Sequence, residues 1–302
     1  MTLINRLSML LALAGVYAAP VQAALNVLAC EPEWAALAQE LGGDRIKVNS
    51  ATTAVQDPHR IQARPSLLAK ARNADLLVCT GADLEIGWLP VLLRESGNAR
   101  IQPGRPGNFE AADSVTLLEK PARLDRAEGD VHPQGNPHIQ TDPRNIGRVA
   151  VGLARRLAEM DPGNATFYAS RQSDFEHRWS AALRRWEQQA APLRGMPVVS
   201  QHKAFAYLYR WLGLREVAVL EPKPGLEPTA NHLASVLAIL HTTPAKAVIR
   251  TEYEPARASE WIAERAGIPA LALPVSVPGT EPDNSLIGWF DTLLARLMAV
   301  PR

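Results

Sequence analysis

Short runs of β-branched and aliphatic residues, each trailed by a stretch of helical period, occur in two series along this chain. The first series holds runs at 25–30, 46–51 and 75–79, and the second holds runs at 197–200, 217–220, 247–250 and 270–273. Strands that alternate with crossover helices lie parallel and need helices on both faces of their sheet. Between the series, residues 164–193 contain no Gly and no Pro before Pro192, while Phe175, Trp179, Leu183 and Trp186 repeat at helical spacing. Such a helix would run roughly 40 Å at 1.5 Å per residue. The pattern predicts an α/β fold of two lobes joined by one long rigid connector helix.

Each lobe reads as Rossmann-like, a parallel sheet flanked by helices. Pro32 sits where a first helical turn accepts it, Trp34, Leu37, Ala38 and Leu41 form a stripe, and Gly42-Gly43 ends it. Pro65 opens a helix through Asn73. Asp142 is placed to cap a helix with Pro143 at its first position and Ile146, Val149, Leu153, Leu157 and Met160 on one face. Residues 102–137 are polar, rich in Gly and Pro, and read mostly as loop. The division expected is 24–162 for the first lobe, 163–194 for the connector and 195–302 for the second lobe.

Of 302 residues, 47% are hydrophobic, and 32 Lys and Arg face 31 Asp and Glu, a net charge of +1. No basic stripe is present, which argues against a nucleic-acid partner. Residues 1–23 carry Arg6, an apolar stretch from 7 to 19, Pro20 and the small-residue site Val21-Gln22-Ala23. They read as a cleavable secretory signal with no Cys at the cut to take a lipid, so the expected location is the periplasm. Cys30 and Cys79 each end an apolar run. Either one disulfide between neighbouring strands or two buried thiols fits them.

The histidines carry the chemical signal. His177, His232 and His241 fall within helices and read as surface groups. His59, His138 and His202 differ, because each stands in a loop beside a strand or helix end, in Gln56-Asp57-Pro58-His59, Gly135-Asn136-Pro137-His138 and Ser200-Gln201-His202. Loops at the carboxyl ends of parallel strands are where open α/β sheets bind ligands. Three neutral imidazoles suit Zn2+, which takes nitrogen donors and four tetrahedral positions. His132 lies near His138 and is a candidate for assisting metal capture.

At these residues the chain resembles the metal-specific solute-binding proteins of ABC importers, the ZnuA-like or TroA-like group. Asp57-Pro58-His59 with Pro65-Ser66, Leu68, 73–78, Gly81 and Leu84-Glu85 is similar to the family's first-ligand segment. Asn136-Pro137-His138 with Asp142-Pro143, and 200–207 with Leu212-Gly213-Leu214, are similar to its second and third. Thr251-Glu252 and the long connector also match. The resemblance implies a periplasmic zinc carrier that is not an enzyme. It would hold zinc on His59, His138 and His202, deliver it to a membrane permease and work as a monomer. Two departures stand out. The family's Asp after the last strand is replaced by Leu273-Pro274-Val275-Ser276-Val277-Pro278-Gly279, which leaves water, Glu252 or Glu281 for the fourth position. The family's His-rich loop is also absent, since 102–131 holds no His. A manganese- or iron-binding homologue, a three-His zinc hydrolase and a surface adhesin on the same fold are the competing readings.

Overall fold

The computed structural model describes residues 24–121, 129, 131–278 and 285–301; the expected signal segment 1–23 and Glu281 lie outside the described residues. Strands β1 (Leu25–Ala29), β2 (Ile46–Ser50), β3 (Leu76–Cys79) and β4 (Asn108–Glu110) form a parallel sheet in the order β2-β1-β3-β4. Strands β5 (Pro197–Ser200), β6 (Arg215–Val219), β7 (Ala247–Thr251) and β8 (Ala270–Leu273) form a second one in the order β6-β5-β7-β8. The two halves thus repeat one winding, and each reverses direction beside its first strand, the position at which open α/β sheets place ligand crevices.

The helices are α1 (Pro32–Gly42), α2 (Pro65–Asn73), α3 (Leu89–Ser96), α4 (Pro143–Met160), α5 (Ala165–Ala190), α6 (Ala206–Leu212), α7 (Ala230–Thr242), α8 (Ala256–Ala266) and α9 (Leu286–Met298). Asp142 caps α4 by accepting from the Arg144 amide at 2.9 Å. Strand β4 lies inside the polar stretch read as loop. Its pairing with β3, Val78 opposite Phe109, makes it a strand where its own periodicity is too short to do so.

Helix α5, 26 residues long, is the connector. Its buried face, Phe175, Trp179, Ala182 and Trp186, joins one hydrophobic core that includes Val27 and Val78 of the first sheet and Val198 and Ile249 of the second. The Trp179 indole donates to the Pro143 carbonyl at the start of α4 (2.8 Å), and the Trp186 indole donates to Asp291 of α9 (2.6 Å). Trp186 also lies 5.1 Å from Phe290, ring centroid to ring centroid. Separate apolar clusters cover the outer faces, Leu28, Leu77, Trp88 and Leu92 on one sheet and Val199, Leu220, Val236 and Ile262 on the other. A disulfide joins Cys30 and Cys79 at the ends of the neighbouring strands β1 and β3, with Cα atoms 4.7 Å apart.

Three carboxyls, Glu31, Glu33 and Glu85, are buried in this half. Glu31 accepts from Thr80 (3.1 Å), Glu85 accepts from the Thr80 amide (2.8 Å), and Glu33 accepts from Ser276 in the loop after β8 (2.5 Å). The last bond ties the two halves. Burial pushes Glu33 and Glu85 up to about 7 from an ordinary value of 4.5, and burial together with the charges of Glu85 and Glu33 raises Glu31.

Two outcomes follow from this packing. Trp186→Ala removes a fully buried ring shared by α5, α6 and α9, and should lower unfolding stability by about 3–5 kcal/mol in urea titration. Carboxyls raised in the folded state retain protons that the unfolded chain gives up. Their contribution is complete below pH 4.5 and is lost as pH climbs through about 7. Each such group gives a slope of up to about 1.4 kcal/mol per pH unit, and stability measured across this window should depend less steeply on pH in Glu33→Gln than in the parent.

Candidate metal centre

His59, His138 and His202 come from loops that start far apart in the sequence, and the structure brings them into one crevice. One donor atom from each ring can be chosen so that all three lie within 4.8 Å of one another. Ring centroids are 5.3 Å apart for His59 and His138, 5.8 Å for His59 and His202, and 5.3 Å for His138 and His202. The Nε2 atoms of His138 and His202 face each other at 3.2 Å. The separation is that of a hydrogen bond between the rings, and it also matches two nitrogens on one tetrahedral zinc, which stand about 3.3 Å apart at bond lengths of 2.0–2.1 Å.

Local structure aims each ring. The carboxylate of Asp57 accepts from the His59 amide at 3.0 Å and pairs with His59 Nδ1 at 2.7 Å, which leaves Nε2 buried and without a hydrogen-bond partner among the described residues. The Trp88 indole donates to the Pro58 carbonyl at 2.8 Å and pins the same loop. Glu221, just after β6, holds His202 Nδ1 at 2.7 Å and accepts from the Gly225 amide at 2.8 Å. A carboxylate on one ring nitrogen fixes the tautomer and turns the lone pair of the other inward. The His138 amide donates to Asn136 Oδ1, while Asn136 Nδ2 donates to the Lys203 carbonyl, both at 2.9 Å. The Tyr207 hydroxyl donates to the Asn136 carbonyl at 2.6 Å. The loops bearing His138 and His202 are therefore bonded directly across the crevice.

Burial, and then the fields of His202 and His59, hold His138 well below the ordinary imidazole value, so its ring is neutral. Burial also opposes charge on His202, but the bond and charge of Glu221, with Glu254 and Asp57 behind, hold it above that value. The site combines a neutral donor with rings backed by carboxylates, an arrangement suited to a dication.

The remaining histidines fall elsewhere. His132 lies 5.4 Å from His59 between ring centroids, beside the set of three and not within it. His177 and His241 are exposed, and the His232 ring donates to the Val219 carbonyl at 3.0 Å. Glu252, offered above as a fourth donor, is turned away: its carboxylate pairs at 2.5 Å with Arg296 of α9. Glu254, two residues on, lines the crevice with His59 and His202. Its Oε2 is anchored by the Thr251 amide (2.6 Å) and hydroxyl (2.9 Å), and its Oε1 is buried without a hydrogen-bond partner among the described residues. Sequence reasoning missed Glu221 and Glu254; the signal available was their place just beyond β6 and β7, the neighbours of the strand that carries His202.

A protein-family model described as ZnuA, zinc-uptake complex component A periplasmic, matches residues 27–300. The chain belongs to this family. It is a metal-binding substrate-binding protein of an ABC transporter; members are transport components and not enzymes, and the family implies a metal ion and a permease as partners. The manganese ABC transporter substrate-binding lipoprotein PsaA of Streptococcus pneumoniae is 22% identical over 276 residues, 88% of this chain and 86% of PsaA. The zinc-binding lipoprotein AdcA of the same species is 23% identical over 202 residues, 66% of this chain but 39% of AdcA, so the match spans well under half of that protein. Among solved structures, a ZnuA crystal structure superposes with TM-score 0.73 at 23% identity, covering 90% of this chain and 96% of that one. The laminin-binding adhesin Lmb of Streptococcus agalactiae, in mutant form, gives 0.73 at 21% identity, covering 91% and 97%. These likenesses show the two-lobe α/β fold. A periplasmic component as the family and lipoproteins as relatives fit a periplasmic or surface location, and among the described residues no helix is long and apolar enough to cross a membrane.

Gly87 precedes α3, and a Cβ there would meet the His59 carbonyl oxygen at 2.7 Å. Gly87→Ala should therefore displace the His59 loop and lower metal affinity about tenfold or more in a competition titration, with little change in the folded circular-dichroism spectrum.

Proposed function

We propose that this chain is the zinc-binding component of an ABC importer, with His59, His138 and His202 as the donors that grip Zn2+ in the crevice between the sheets. The observation that carries the reading is the 3.2 Å approach of two Nε2 atoms with the third imidazole beside them. An all-nitrogen set favours zinc over manganese, which prefers oxygen donors. Asp57 and Glu221 serve as the outer carboxylates that raise ring basicity and hold each ring in place. The protein acts as a monomer after its leader, residues 1–23, is removed. It passes the ion to a membrane permease by presenting the face on which the crevice opens.

The shared core through α5 makes wide separation of the halves costly, because parting them would expose Trp179 and Trp186 to water. Uptake and release then proceed through movement of the crevice loops.

Isothermal titration of metal-free protein with zinc and with manganese tests the assignment. One zinc per chain is expected, with manganese bound at least about tenfold more weakly. His59→Ala, His138→Ala and His202→Ala should each reduce zinc affinity by a hundredfold or more, on the order of 3 kcal/mol. Asp57→Asn and Glu221→Gln should cost about 10–100-fold. Unchanged affinity in all three His variants would eliminate the donor set, and tighter manganese binding would reverse the ion choice.

A further inference from the structure

The crevice is far larger than a metal ion requires. Beside His59 and His202 it opens into a cavity of about 660 Å³, within the range that encloses small organic ligands and much more than an ion with its donors fills. One wall is apolar, built by Pro228, Leu233, Ala258 and Trp261 from the loop before α7 and from α7 and α8. The charged groups among the lining are Asp57, Glu221, Glu227 and Glu254 against Arg60 and Arg257, a formal surplus of two carboxylates. The set of ring donors numbers three, and no carboxylate joins it among the described residues, whereas zinc takes four ligands.

We propose that the cavity receives the metal together with a small monoanionic chelator of the amino-acid type. This inference rests on the zinc-carrier reading above. The chelator's donor completes the coordination sphere. Its carboxylate faces the guanidinium of Arg257, and its side chain lies along Trp261, Leu233 and Ala258. The charge balance selects the class: a dication bearing one monoanion stays positive and suits a lining with excess carboxylate, while a trianionic chelator such as citrate would make the complex negative and be repelled. An apolar wall has no use for a bare ion, but it stabilises an organic body by removing it from water.

Equilibrium dialysis of the full chain with radiolabelled L-histidine, with and without zinc, tests this, and native mass spectrometry gives the mass of the complex. One histidine retained per chain only when zinc is present is expected, with no comparable retention of labelled citrate. Trp261→Ala should reduce histidine retention about tenfold and leave binding of zinc alone unchanged. Arg257→Gln, a substitution of an exposed side chain, should weaken retention several-fold. Zinc bound with no histidine retained when both are supplied, zinc stripped by histidine, citrate retained equally well, or retention unaltered in both variants would each overturn the chelator proposal while leaving the carrier intact. Failure of the parent protein to bind zinc under either condition would instead remove the carrier reading, and this inference with it.

Discussion

Convergence of three imidazoles from distant loops is possible only if the two sheets are held at a fixed separation, and the aromatic face of α5 does this. Phe175, Trp179 and Trp186 bury their rings in one core shared by both halves, and the indole N–H groups of Trp179 and Trp186 find acceptors at the start of α4 and on α9. A large ring buried with its polar atom satisfied contributes packing and direction together. Helix α4 begins just after the loop that carries His138, so the bond from Trp179 to Pro143 reaches within a few residues of the donor set.

Around the donors, charge is arranged in layers. Neutral imidazole is the form a dication needs, and burial keeps His138 in it. Asp57 and Glu221 supply negative charge one atom layer further out, on the Nδ1 atoms of His59 and His202. A carboxylate placed directly among the donors would favour harder ions such as manganese. Glu252 is instead turned away, toward Arg296. In the loop after β8, Ser276 is used to bond the buried Glu33 and join the halves.

The reversal points of the two sheets are filled differently. At the ends of β1 and β3 the space is filled by the disulfide, Trp34 and the buried carboxyls Glu31 and Glu85. At the ends of β5 and β7 it stays open, and there His202 and Glu254 line the cavity. The repeated winding thus provides two equivalent positions, of which one is packed and the other lines a cavity.

The alternation of strand runs with Pro-opened helices, the cap at Asp142 and the unbroken stripe from Phe175 to Trp186 determined the fold class and the connector, because these are local signals that repeat at fixed periods. The loop settings of His59, His138 and His202 marked them as unlike the other histidines. Strand β4 stayed hidden, since three residues show no period and only pairing with β3 defines them. The pairing of Cys30 with Cys79 and the roles of Glu221 and Glu254 also waited on the tertiary structure. Register between neighbouring strands decides which side chains meet at their carboxyl ends, and a difference of two positions separates the carboxylate that faces the crevice from the one bound to Arg296. Such distances are set by the packing of α5 and α9 across both sheets, a property of the whole core that no local stretch of sequence contains.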